Sequence, residues 1–228
     1  MPTIEQILHV MRGMPVDTDI HLRNRAVIAF TLLTGARDGA IATLKLKHID
    51  VVAGKVIQDE REVRTKFSKT FTTWFFPVGI AVRQTVVDWV AYLKTEKLFG
   101  SGDPLFPATR VVQDQDHQFQ GGGLSREHWS NASPIRAIFK EAFTSAGLPY
   151  ANPHSFRKML AQLGERLCHT PEVFKAWSQN LGHEQVLTTF SSYGHVADDR
   201  QAELIRRLAQ RPETMKRSGR LELSAHGL

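Results

Sequence analysis

Residues 22–44, LRNRAVIAFTLLTGARDGAIATL, decide how the chain folds. From Leu22 to Thr34 the stretch is apolar almost all round rather than along one stripe, which marks a buried helix. Gly35 interrupts it. Arg37 then opens a second short helix, expected to run to about Leu44. A cation placed just after a buried helix and a glycine needs a partner. Either it forms a structural ion pair, with Asp38 or Asp50 as the nearest acids, or it faces a ligand.

On the N-terminal side, Ile4, Ile7, Leu8 and Met11 recur at helical spacing. On the C-terminal side the period changes. Lys55–Gln58, Arg61–Thr65 and Thr72–Val78 are short and rich in β-formers, and they read as a small antiparallel sheet. Gly54 suits its first turn and Lys66–Lys69 the turn before its third strand. Helical spacing returns from Ala81 to Leu98, with Val82, Val86, Trp89, Val90 and Leu93 on one side. Residues Arg110 to Asn131 are polar, with Gly121–Gly123 in the middle, and read as a loop or insertion.

Three helix starts share one chemistry. Ser133-Pro134, Asn152-Pro153 and Thr170-Pro171 each put a capping side chain before a proline at the first helical position. Gly147 and Gly182 suit helix ends. Asp198 to Gln210 has the pattern of a last amphipathic helix, and the tail from Arg211 looks loosely ordered. The sum is a mainly α chain with a small antiparallel β-sheet, an α+β fold. It is expected to form one domain over 1–228, with a core to 210 that includes the last helix and a tail over 211–228.

The chain has 228 residues, 42% hydrophobic and 23% charged, enough for a buried core. Its net charge of +6, with pI near 9.6, suits an anionic partner. Cys168 is the single cysteine, which excludes an internal disulfide framework and a cysteine-based zinc site. The apolar run Ala26 to Leu33 is far too short to span a bilayer. A cytoplasmic, DNA-facing protein with no membrane partner fits these features.

Five pieces carry the chemistry: Thr34-Gly35-Ala36-Arg37, Arg64-Thr65-Lys66, His154-Ser155-Phe156-Arg157, Leu181-Gly182-His183 and Tyr193. His154 and Arg157 lie three apart, on one helix face, beside a helix N-terminus whose free N–H groups favour an anion. Taken alone they also read as a surface pair. Lys66 also reads as a solvated turn lysine, with Lys69 as its rival. His183 also reads as a capping or core histidine, and Tyr193 as an amphipathic surface tyrosine.

In order and content these pieces resemble the catalytic domain of the tyrosine recombinase, or phage integrase, family. Thr34 to Arg37, followed by Leu44-Lys45-Leu46 and His48-Ile49-Asp50, is similar to the family's first-arginine box. Arg64-Thr65-Lys66 is similar to its β-hairpin lysine, and Pro153 to Arg157 to its His-x-x-Arg box. Leu181-Gly182-His183, then Thr188-Thr189 and Tyr193, is similar to its closing box. The resemblance covers nearly the whole chain and implies a DNA breaking-rejoining fold. It implies catalysis by Arg37, Lys66, His154, Arg157 and His183, with Tyr193 as nucleophile through a 3′-phosphotyrosyl link, and no metal, nucleotide or other cofactor.

The partners it implies are double-stranded DNA, further copies of the chain docked through 198–210, and accessory DNA-bending proteins, in the cytoplasm at the nucleoid. Two features depart from the family. Ala40 stands where an acidic residue often follows the first arginine, with Asp38 as a substitute. The helical domain that usually clamps DNA ahead of this one is expected to be absent. Three readings compete: a non-catalytic DNA-binding module of the same fold, a type IB topoisomerase-like enzyme, and a metal hydrolase. The last has no His-Glu-x-x-His run to support it, and His21, His48, His117 and His128 are scattered.

Overall fold

The central helix, α2 (Asp19–Thr34), is fixed at both ends by its own sequence. Thr18 caps it, its side chain accepting from His21 N, and Gly35 closes it in the left-handed conformation at φ 60°. Every residue from Ala26 to Thr34 is buried. The hydroxyls of Thr31 and Thr34 are satisfied locally, donating to Val27 O and Phe30 O, each at 2.7 Å. Arg23, 3% exposed, donates to Pro107 O and Thr109 Oγ1 at 3.0 Å and lies 5.0 Å from the Trp129 ring. Burial pushes its guanidinium down to about 10.

The structure, a computed structural model, describes residues 1–65, 69–113, 119–183, 201–203 and 206. The chain divides into two compact units, Met1–Ser192 and Tyr193–Leu228. In the second, residues 201–203 and 206 are helical, and the rest of the expected helix Asp198–Gln210 lies outside the described residues. Among the described residues no helix is long and apolar enough to cross a membrane.

In the first unit α2 touches α1 (Ile4–Gly13), α4 (Ile80–Thr95), α5 (Ser133–Ser145) and α6 (Pro153–Leu167). Those helices present their apolar stripes to it. On α4 the buried residues are the five whose spacing predicts them, Val82, Val86, Trp89, Val90 and Leu93. The short α3 (Asp38–Ile41) follows α2, and α7 (Pro171–Asn180) packs on α6. Phe139 and Phe143 meet Phe156 edge-on, with ring centroids 5.0 and 6.1 Å apart, and join α5 to α6.

A three-stranded antiparallel sheet, ordered β1 (Ile49–Asp50), β2 (Lys55–Gln58) and β3 (Phe71–Trp74), is registered by Lys55 opposite Trp74 and Gln58 opposite Phe71. The strand expected at Arg61–Thr65 is instead part of the long β2–β3 connection. There Asp59 takes the backbone and side chain of Arg61, at 3.0 Å each, so turn chemistry outcompetes strand propensity. Glu62 accepts from Lys47 and meets His48 Nε2, both at 2.8 Å. Because His48 Nδ1 accepts from Lys45 N, the buried ring presents Nε2 as the donor to Glu62.

The stretch 110–131, expected as a loop, contains a second hairpin, β4 (Thr109–Gln113) with β5 (Phe119–Leu124). Gly122 belongs to a strand here because a Cβ would lie 2.4 Å from Val112 Cγ1. The cap expected at Ser133 also shifts by one residue. Ala132 is the cap position, and Asn131 Oδ1 accepts from Ser133 N at 2.8 Å. Asn152 and Thr170 cap α6 and α7 as predicted.

Gly164 offers a test of the α6–α7 packing. In a free helix Gly→Ala gains about 1 kcal/mol. Here an added Cβ would lie 2.5 Å from Trp177, whose ring also packs on Phe76 and donates to Leu160 O at 2.9 Å. Gly164→Ala is therefore expected to destabilise by about 1–3 kcal/mol in urea unfolding. A gain in stability would show that α7 does not pack against α6 as described.

Candidate active site

Three chain segments far apart in sequence meet at one buried guanidinium. Arg157, 6% exposed on α6, donates from Nη1 to Gly35 O and from Nη2 to Leu181 O, each at 2.5 Å. Nη2 also lies 3.2 Å from His183 Nε2. A guanidinium can only donate, so that ring nitrogen accepts and the His183 proton sits on Nδ1. Among contacts between described residues, Nε–H and one N–H on Nη1 of the five N–H groups of Arg157 remain for another acceptor.

Two glycines make this meeting possible. Gly35 has φ 60°, and a Cβ on it would lie 3.0 Å from Leu181 Cδ2 and 3.1 Å from Leu160 Cδ1. Gly182 has φ 69°, and its Cβ would lie 2.9 Å from Phe71 of β3. Asn180 holds the same turn to that strand. Its side-chain Oδ1 accepts from Trp74 N at 2.6 Å and its Nδ2 donates to Trp74 O at 2.8 Å, while its own carbonyl accepts from Thr73 Oγ1 at 3.2 Å. The amide thus extends the sheet edge by one pair and fixes the residues just before His183. Sequence reading passed over Asn180; its place immediately ahead of Leu181-Gly182-His183 was the signal present.

Arg37 is the residue from which α3 starts, half-buried, two positions after the carbonyl that Arg157 holds. Neither acid expected to pair with it does so. Asp38 binds Arg136 Nε at 2.7 Å, and Asp50 accepts from Val52 N and Ala53 N at 3.1 and 2.8 Å. Burial lowers the Arg37 pKa. Arg157 is pushed down to about 9 by burial and then by the charge of Arg37. Arg157 thus feels the charge of Arg37, and among the described residues no carboxylate pairs with either guanidinium.

His154 stands exposed in the first turn of α6. Its pKa is lowered by partial burial and by Lys158, Arg157 and Arg37, with Asp38 opposing. It is neutral at pH 7 and free to accept a proton. The structure thus gathers Arg37, His154, Arg157 and His183 beside the N-terminus of α6.

Lys66 and Tyr193 lie outside the described residues, as do Thr188 and Thr189. The flanks of Lys66 are described. Arg64 donates from Nη1 to Ser130 O and from its backbone N to Thr43 Oγ1, both at 2.9 Å. Lys69 N donates to Thr65 Oγ1 at 3.0 Å, and the Lys69 side chain is exposed. A Cβ on Gly39 would be 3.9 Å from Arg64 O, so this connection runs beside α3. Among the described residues no cluster of His, Cys, Asp or Glu is arranged to hold a metal ion.

This fold and constellation have relatives. Residues 2–200 match the phage integrase family, and the chain belongs to it. It is 26% identical over 204 residues to tyrosine recombinase XerC of Halalkalibacterium halodurans, a match over 89% of this chain and 59% of that protein. It is 23% identical over 203 residues to tyrosine recombinase XerD of Pasteurella multocida, over 89% and 60%. The chain thus spans about 60% of the length of these curated relatives.

Among solved structures, the XerA recombinase superposes with a TM-score of 0.58 at 19% identity, over 91% of this chain and 62% of that one. A lambda integrase dimer bound to a COC′ core site gives 0.55 at 14% identity, over 86% and 62%. At these identities the shared property is the fold, which is that of the tyrosine recombinase catalytic domain.

The two arginines should separate in stability. Arg157→Met leaves two buried carbonyls unpaired and is expected to cost about 3 kcal/mol. Arg37→Met removes a half-buried cation repelled by its neighbour. It is expected to leave stability unchanged or raise it by about 1 kcal/mol, as removal of strained functional groups does. Urea unfolding of the DNA-free protein measures both. A larger loss for Arg37→Met than for Arg157→Met would show that Arg37, not Arg157, ties the segments together.

Proposed function

We propose that the chain cuts and rejoins double-stranded DNA at specific sites through a 3′-phosphotyrosyl intermediate. The observation that carries this reading is the buried Arg157 guanidinium, held by Gly35 O and Leu181 O beside His183 and within the field of Arg37 and His154, with no carboxylate paired to either arginine among the described residues. Such an arrangement is poor for stability and good for an anion that gains charge during reaction. Membership of the family, and the recombinase names of the relatives, support the reaction class. The core site carried by the lambda integrase dimer supports duplex DNA as partner and a second copy of the chain as companion.

In this reading the Tyr193 phenol oxygen attacks the phosphorus and the bond to the 5′-oxygen breaks. The phenol proton passes to His154, which is neutral at the outset. Lys66, with Lys69 as its rival in the same turn, gives the leaving 5′-oxygen its proton. Arg37 and the free N–H groups of Arg157 bind the nonbridging oxygens, and His183 adds a hydrogen bond through its protonated nitrogen. Attack by another strand's 5′-hydroxyl reverses each transfer and restores the phenol. The phosphodiester energy is held in the tyrosyl link, so neither metal nor nucleotide enters. The chain acts as a single catalytic domain over 1–228. Further copies of it and accessory DNA-bending proteins help to hold the DNA in the cytoplasm.

The test is covalent trapping on a nicked duplex, where loss of a short 5′-hydroxyl strand prevents reversal. The unaltered protein is expected to form a DNA adduct in the presence of EDTA. Tyr193→Phe should form none while still binding DNA. Arg37→Ala should slow adduct formation by about 10²–10³. An adduct that persists in Tyr193→Phe would overturn the nucleophile assignment, and a metal requirement would overturn the reaction class.

A further inference from the structure

Among the described residues, Asp38 is the one carboxylate set against the gathered cations, and it does not pair with Arg37. It follows Arg37 directly in the chain, yet its Oδ2 is held 2.7 Å from Arg136 Nε, on the first turn of α5. Its Oδ1 accepts from Gly39 N at 2.9 Å. Both oxygens are therefore fixed, one by the start of α3 and one by a different helix. An unscreened carboxylate in this position would oppose any phosphate drawn in by Arg37 and Arg157. Arg136 supplies the screening charge, and it also ties the start of α3, where Arg37 sits, to α5.

Resting on the function proposed above, we propose that Asp38 and Arg136 are a positioning pair for the phosphate site. The carboxylate orients the start of α3 and sets the local field at His154, and the guanidinium cancels the charge that would otherwise repel the phosphate. Neither side chain takes part in the chemistry. Among the described residues, the charges that face His154 are Lys158 and Arg157 from its own helix, Arg37 and Asp38 from the start of α3, and Arg136 from α5 through Asp38. Asp38 is the one member of that group that favours a protonated ring.

The arrangement gives the two partners opposite signatures. In Asp38→Asn the opposing charge is gone and an acceptor for Gly39 N remains, so the His154 titration moves to lower pH. In Arg136→Ala the carboxylate acts unscreened and a cation is lost, so the titration moves to higher pH. Arg136→Lys keeps the charge and should titrate as the unaltered protein does. A merely structural pair would give no such divergence. Because Arg136 is 58% exposed, neither change should move the unfolding temperature appreciably.

The measurement is the imidazole titration of His154 by NMR in the DNA-free protein, its signal assigned by loss in His154→Gln. Opposite displacements in Asp38→Asn and Arg136→Ala, with Arg136→Lys unmoved, are the expected result. Displacements of the same sign, or none, overturn the pair. Adduct formation on the nicked duplex, followed against pH, gives a second readout, since its acid limb should move with His154. If the unaltered protein forms no adduct at any pH, the recombination reading fails, and the titration still decides the pair.

Discussion

The guanidinium of Arg157 is the joint on which the rest of the site depends. It sits 6% exposed with no acid paired to it among the described residues, a placement that costs desolvation and is tolerated because three acceptors surround it. Two of those acceptors are backbone carbonyls, that of left-handed Gly35 and that of Leu181, which precedes left-handed Gly182. Each of these glycines is also too crowded for a side chain. The end of α2, the start of α6 and the end of α7 are thereby brought to one point, and Arg37 and His183 are placed as the continuations of two of those ends.

The charges elsewhere in the molecule are arranged by a different rule. Glu62 gathers Lys45, Lys47 and His48, which together draw its pKa down to about 2. Asp103 holds Arg126, and Asp19 holds Lys97 and Tyr92. In each case opposite charges meet and the local structure gains. Arg37 and Arg157 have no such partner among the described residues, and burial and like charge lower the pKa of Arg157. The buried stretch of α2 and the aromatic packing of α5 on α6 supply the stability that lets the cations stand unneutralised, a division of labour common to sites that bind charge developing during reaction.

How much of this the sequence disclosed follows from the range of the signals. The buried face of α4, the caps at Asn152 and Thr170 and the helix end at Gly35 depend on neighbours within one turn, and the sequence shows them directly. Residues 61–65 have strand composition, yet Asp59 and His48 organise them, and nothing within the stretch announces that. Gly121–Gly123 reads as a breaker because the close approach of Val112 is visible only once the hairpin has formed. The basic residues of the site could be named from their resemblance to a family. That Asp38 turns away from Arg37 toward Arg136, 98 positions on, could not.

The strand β3 gives this arrangement a mechanical consequence. One end of β3 follows the connection that carries Lys66 and Lys69. Its Trp74 is gripped by Asn180, and its Phe71 lies where a Cβ on Gly182 would have to go. The other end of that connection is pinned by Arg64 to Thr43 and Ser130, beside α3. The two described flanks of that connection are therefore anchored separately, one beside the helix that Arg37 opens and one at the turn that carries His183. A displacement of the α7 end would be transmitted to both β3 and the Arg157 guanidinium, because Leu181 O and the Asn180 amide are neighbours on the same piece of backbone.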